Sequence, residues 1–200
     1  MTAAPDLRYT AEDFTAELSA ADYIRRYRDP QRFGACCRRC PNYGRSWGCP
    51  PFGFDPAERM GRYSRLLLVA TQIRPADPDQ PIDLSQQLIR PERLRLERQL
   101  RQLEARFGGL MCAYIGSCLH CPAGTCTRPQ GLPCRHPEAV RPSLEAFGFD
   151  IGRTLSDLFG FELRWGRDGR LPDYLTLVCA LFHNEAGPIR FGGSGTSIIL

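Results

Sequence analysis

No lysine occurs anywhere in the 200 residues, and all 26 basic residues are arginine. That absence excludes a Schiff-base lysine, a phosphate-loop lysine and a lysine general base. A long apolar run is missing too. The longest, near Tyr174 to Phe182, is far too short to span a bilayer. The N-terminal MTAAPDLRYTAEDF contains no apolar signal segment. A cytoplasmic location and no membrane partner are the expectation. Thiols there are kept reduced, so clustered cysteines read as metal ligands rather than disulfides.

What the chain has instead is cysteine, ten residues of it. One cluster is Cys36, Cys37, Cys40 and Cys49, in CCRRCPNYGRSWGCPP; the other is Cys118, Cys121, Cys126 and Cys134, in GSCLHCPAGTCTRPQGLPCRHP. Thiolates are soft ligands, and several on a short stretch rich in Gly and Pro can wrap one soft metal or cluster. The formal charge of +4 shrinks once thiolates are counted, since two four-cysteine sites carry about eight negative charges before metal is added. Arg38, Arg39, Arg45, Arg128, Arg135 and Arg141 lie within or beside the clusters and read as counter-charges. A nucleic-acid surface is therefore not expected.

With 42% hydrophobic residues the chain has enough apolar material for a core without cysteine staples. Thr10 to Arg28 reads as an amphipathic helix with Phe14, Leu18, Ala21 and Ile24 on one face. The first cysteine stretch reads as irregular. Arg65 to Ile73 has the length and composition of a strand. Pro91 to Phe107 is helical in period, with Leu96, Leu100, Leu103 and Phe107 on one stripe and Gly108 and Gly109 at its end. Its arginines and glutamates read as a solvated face. Leu110 to Ile115 reads as a strand, Ser143 as the cap of a short helix ending at Gly148, and Ile151 to Phe159 as a helix. Phe161 to Trp165 and Tyr174 to Phe182 read as strands around an Asp168-Gly169 turn. No whole-unit repeat is present. The order predicts one α+β domain over 1–200: a small sheet covered on one face by the long helix, two cysteine-rich metal-binding loops, and a flexible tail from 187.

The second cluster is spaced C-x2-C-x4-C-x7-C. Four thiolates suit a four-iron cluster or a closed zinc site. Three cysteines within nine residues and a remote fourth favour a three-plus-one cluster loop over two paired zinc knuckles. Proline follows Cys40, Cys49 and Cys121, as in ferredoxin loops. The first cluster offers three thiolates, Cys40 and Cys49 with either Cys37 or Cys36. It reads as an open-iron cluster, as a zinc with water or substrate, as a site completed by a distant ligand, or as a metal-free knuckle beside Trp47 and Tyr43.

These residues resemble a known family, the predicted metal-binding proteins of domain of unknown function 2284. The resemblance rests on CRRCPNYGRSWGCPPFGFDP, Cys37 to Pro56, and on GSCLHCPAGTCTRPQGLPCRHPEAVRPSLEAFGFD, Gly116 to Asp150. It implies metal or iron–sulfur binding by Cys37, Cys40, Cys49, Cys118, Cys121, Cys126 and Cys134, and it implies no particular reaction.

His120 and His136 flank second-cluster cysteines, either as surface histidines or as groups that replace or hydrogen-bond a sulfur. Arg141, Ser143 and Glu145 follow Cys134 as a helix start or as support for the cluster. Trp47, Tyr43 and Phe52 are candidates to wall a small-molecule pocket at the first. His183, Asn184 and Glu185 follow the last strand without a nucleophile, and Gly192, Gly193 and Gly195 are discounted as a phosphate loop, since no helix follows. Cys112 and Cys179, among apolar neighbours, read as buried small hydrophobes. The functional expectation is a 4Fe-4S iron–sulfur protein that passes electrons to a redox partner protein or serves a redox enzyme. The alternatives are a zinc-stabilised binding module and a metalloenzyme with an open first site.

Overall fold

A computed structural model describes residues 7–114, 116, 118–192 and 197–199. The architecture is α+β. A sheet of order β3-β4-β2-β1-β5 is built from β1 (Tyr9–Ser19), β2 (Arg65–Pro75), β3 (Leu110–Cys112), β4 (Leu175–His183) and β5 (Ser197–Ile199). The first four are antiparallel, and β5 runs parallel to β1. Among the described residues five α-helices surround it: α1 (Ala20–Tyr27), α2 (Pro30–Arg39), α3 (Pro56–Met60), α4 (Ser85–Phe107) and α5 (Ile151–Phe159).

The central β2 is buried on both faces. Leu66, Leu68 and Ala70 pack with α1, α5, Met60 and Phe147, while Leu67, Val69 and Ile73 pack with Leu96 and Leu100 of α4. Helices therefore cover both faces, not only the α4 side. Each fully buried Leu contributes about 1.5–3 kcal/mol. Cys112 and Cys179 are buried in the two opposite layers, where desolvation pushes both thiols up.

The expected helix over Thr10 to Arg28 is instead β1 followed by α1. Phe14 and Leu18 are four apart, a spacing that serves a helix but equally puts both on one face of a strand with Ala16 between them. Eleven paired positions with β2 decide in favour of the strand. Ser19 then starts the helix, its hydroxyl accepting from Asp22 N at 3.3 Å. Ala21 is exposed; Ala20, Tyr23 and Tyr27 make the buried face.

Helix α4 begins at Ser85, so Pro91 lies inside it, and buried Leu88 anchors the added turns. Phe161 to Trp165 forms no strand. Its alternation is real, with Phe161 and Leu163 turned to the core, but it joins no strand ladder; the Glu162 carbonyl accepts instead from Tyr174 OH at 2.6 Å, and Trp165 is exposed. Asp168 and Gly169 form the expected turn, both at positive φ. The strand at Leu110 is described only to Cys112; Ile115 lies outside the described residues, as do Gly193 and Gly195 of the tail. The tail's Ser197–Ile199 pairs with β1.

Candidate metal centre

The first cysteine stretch starts on a regular helix, not an irregular loop. Asp29 accepts from Arg32 N at 2.9 Å and Pro30 fills the first turn, so α2 carries Cys36 and Cys37. Cys40 is its C-cap, donating to the Cys37 carbonyl at 3.0 Å. Turns then bring the chain back: Tyr43 N to Cys40 O at 3.1 Å, Gly44 N to Pro50 O at 2.9 Å, Cys49 N to Ser46 O at 3.0 Å. The hydrogen bonds Asp29 N to Gly148 O and Asp150 N to Tyr27 O, both 2.8 Å, fasten α2 to the turn at Glu145–Phe147. Gly148 is required there: its φ is +90°, and a Cβ would stand 2.8 Å from Pro30 Cα.

This path gathers Cys37, Cys40 and Cys49. Burial pushes the Cys49 thiol up, the Ser46 hydroxyl pulls it down, Cys40 and Cys37 push it up again, and Arg128 pulls it down. Burial also raises Cys37, reinforced by Cys40 and Cys36. Neighbouring thiols that hinder one another's ionisation are relieved by a bound cation. Cys36 differs from Cys37: it is exposed and accepts from Arg39 at 3.9 Å, and it is not among the groups acting on Cys49.

The second loop brings Cys118, Cys121, Cys126 and Cys134 onto one cavity of about 320 Å³, together with His120 and His136. Burial raises Cys118, the His120 amide hydrogen-bonds to it and lowers it, and Cys121, Cys134 and Cys126 raise it. His136 N donates to Cys134 Sγ at 3.4 Å. Backbone N–H groups aimed at sulfur stabilise thiolate charge and tune iron–sulfur potentials. Among the described residues no three His, Cys, Asp or Glu side chains are gathered closely enough to grip a single ion. The four thiols on this cavity are a donor set that fits a soft metal.

Helix α4 holds this loop with a face that is not simply solvated. Glu97, Arg101 and Glu104 form a stripe at i, i+4 and i+7. Glu97 accepts from Arg101 at 2.9 Å and Tyr114 at 2.8 Å, and lies 3.1 Å from His120 Nε2. Arg101 also reaches the Ala139 carbonyl. Glu104 binds Arg141 and Met111 N, both at 2.8–3.0 Å. That spacing was the available signal for a face turned toward a partner.

The arginines divide. Arg38, Arg39 and Arg128 act on thiols, while Arg141 is taken by Glu104 and Arg135 by the Thr125 carbonyl at 2.6 Å. Arg128 reaches across to the first loop, donating to Ser46 O at 2.6 Å and to the carbonyls of Cys49 and Pro51. Nothing in the sequence pattern announced this.

Trp47, Tyr43 and Phe52 face different neighbours. Trp47 lines the second cluster's cavity, Tyr43 faces Pro50 and Phe147, and Phe52 stacks on Phe54 at 5.0 Å. Ser143 caps its turn, accepting from Ala146 N at 3.3 Å. Glu145 Oε2 is shut off from solvent with no hydrogen-bond partner among the described residues; burial raises its carboxyl to about 7, against its own backbone and the Ser143 hydroxyl. His183 ends β4 fully buried, and Asn184 accepts from Ser64 N at 2.8 Å.

A family model described as a predicted metal-binding protein, domain of unknown function 2284, matches residues 25–182. The match spans both cysteine clusters. No curated protein and no solved structure matches the chain.

Proposed function

The chain belongs to this predicted metal-binding family, and from that premise we propose that it is an iron–sulfur protein with its four-iron site at Cys118, Cys121, Cys126 and Cys134. The observation that carries the reading is four thiols on one cavity of about 320 Å³, with amide N–H groups directed at two of the sulfurs. An iron–sulfur cluster, when bound, supplies reversible one-electron transfer. Cys118, Cys121, Cys126 and Cys134 would ligate it. The His120 and His136 amides stabilise sulfur charge, and Glu97 and Arg101 fix the loop. Cys37, Cys40 and Cys49 form a second, three-thiolate site on this reading. The role that follows is electron transfer to a redox partner protein, or service to a redox enzyme, in the reducing cytoplasm.

The test is purification without oxygen, followed by iron, acid-labile sulfide and the visible spectrum. Iron and sulfide in near-equal amounts with a broad charge-transfer band support the reading. A colourless protein with stoichiometric zinc and no sulfide overturns it in favour of a zinc-stabilised module.

A further inference from the structure

The two cysteine loops are built into each other. Arg128 belongs to the second loop, between Cys126 and Cys134, yet its guanidinium holds the first. It donates to the carbonyl oxygens of Ser46, Cys49 and Pro51, and packs 5.1 Å from the centre of the Trp47 ring. Trp47 Nε1 donates to Thr127 Oγ1 at 3.3 Å, and Thr127 donates to the Pro133 carbonyl, beside Cys134, at 2.8 Å. Two cavities are shared as well. A small one of about 50 Å³ has Cys49 and Cys118 in its wall. The larger one sets Arg45, Ser46 and Trp47 opposite the four second-loop cysteines.

We infer that Arg128 is a positioning residue that couples the two sites, so that loading either cysteine set orders the loop carrying the other. The inference rests on reading both sets as metal sites, but not on which metal they hold. Ligation at Cys126 and Cys134 fixes the backbone on both sides of Arg128. A fixed guanidinium then holds the turn from Ser46 to Pro51, and with it the Cys49 thiol. A planar fork can satisfy three carbonyls at once, whereas the amide of a glutamine has only two N–H donors on a shorter stem. The effect runs both ways, because coupling between sites is reciprocal. Since the contacts are to backbone carbonyls, the coupling does not require a change of charge at either site.

The experiment uses the full chain with its native metal. EDTA is added, and iodoacetamide labelling followed by mass spectrometry reports which cysteines open and how fast. Cys121→Ser, which cuts only the second set, is expected to speed labelling of Cys49 at least about fivefold, the lower end of ordinary coupling between sites. In the Arg128→Gln background the same substitution should add nothing further at Cys49. An arginine with a merely structural role would loosen both sets while leaving the Cys121→Ser factor intact. That outcome overturns the inference, as does unchanged Cys49 labelling in Cys121→Ser. Should Cys121→Ser fail to accumulate, Cys49→Ser read at Cys126, with and without Arg128→Gln, decides by the same criterion. A zinc-loaded chain without sulfide overturns the iron–sulfur reading but leaves the factor measurable. Free-thiol labelling rates at both sets before EDTA is added overturn both readings.

Discussion

Cys37 Sγ lies 4.0 Å from the Glu145 carbonyl oxygen, at the point where α2 meets the turn before Phe147. The contact turns Cys37 inward toward Cys40 and Cys49. One position earlier on the helix, rotated by about 100°, Cys36 faces solvent and Arg39.

Cys36→Ser is therefore expected to be nearly silent in both metal content and thermal melting. Cys37→Ser should lose first-site metal while the fold remains. If Cys36→Ser strips metal and Cys37→Ser does not, the ligand assignment in the first cluster is wrong.

On the proposed reading the second set is complete with four thiols, and the first has three. A closed four-thiolate site adds its binding energy to folding, on the order of 10 kcal/mol for a structural zinc. Cys121→Ser should sharply lower soluble yield and melting temperature. Cys49→Ser should leave a folded chain that has lost part of its metal. Metal analysis and thermal melts of the two side by side give the comparison, and equal melting temperatures would contradict it.

Much of the fold was legible. β2, β4, α4 and α5 announce themselves by apolar runs or by stripes such as Leu96, Leu100 and Leu103. β1 did not, because Phe14 and Leu18 satisfy both periods and only eleven pairs with β2 choose between them. α2 was hidden by its cysteines and Gly34, although Asp29-Pro30 is a helix start. The two cysteine clusters were visible from spacing, and the resemblance implied seven ligands; the structure sets Cys118, Cys121, Cys126 and Cys134 on one cavity and Cys37 and Cys40 near Cys49. The grip of Arg128 on the first loop was not visible, because it depends on the turn through Thr127 and Gly131 and on the path of another loop 80 residues away.

The pH dependence of stability should carry a signature of His183. Its ring is fully buried at the end of β4, with no hydrogen-bond partner on either nitrogen among the described residues. Burial lowers its pKa below 6.5; Glu17 opposes the shift, Arg65 adds to it and Glu185 opposes it. The unfolded chain then binds more protons at this position just below pH 6.5, so stability falls as pH drops through that window. In urea titrations at pH 7.5 and 5.5, His183→Gln should lose less stability than the natural chain. A steeper loss in the variant would show that the ring takes its proton inside the fold.

Glu97 carries the last prediction. Its carboxylate receives Arg101 and Tyr114 and faces His120, between helix α4 and the second cysteine loop. Its side chain is about 15% exposed, so the group is mostly withdrawn from water. Removing it leaves the Tyr114 hydroxyl and the Arg101 guanidinium short of an acceptor, and unsatisfied groups of this kind cost about 1–3 kcal/mol. Glu97→Ala should therefore lower unfolding free energy by about that amount. Glu97→Gln retains one acceptor oxygen and should fall between the two. The site should respond along with the fold. His120, freed from Glu97, no longer holds its own backbone amide against Cys118, so metal should leave the second set faster in EDTA while the Cys37 set is less affected. Urea titration reads the first effect and timed metal loss the second. A Glu97→Ala chain that is less stable but keeps its second-set metal as long as the natural one would confine Glu97 to the fold.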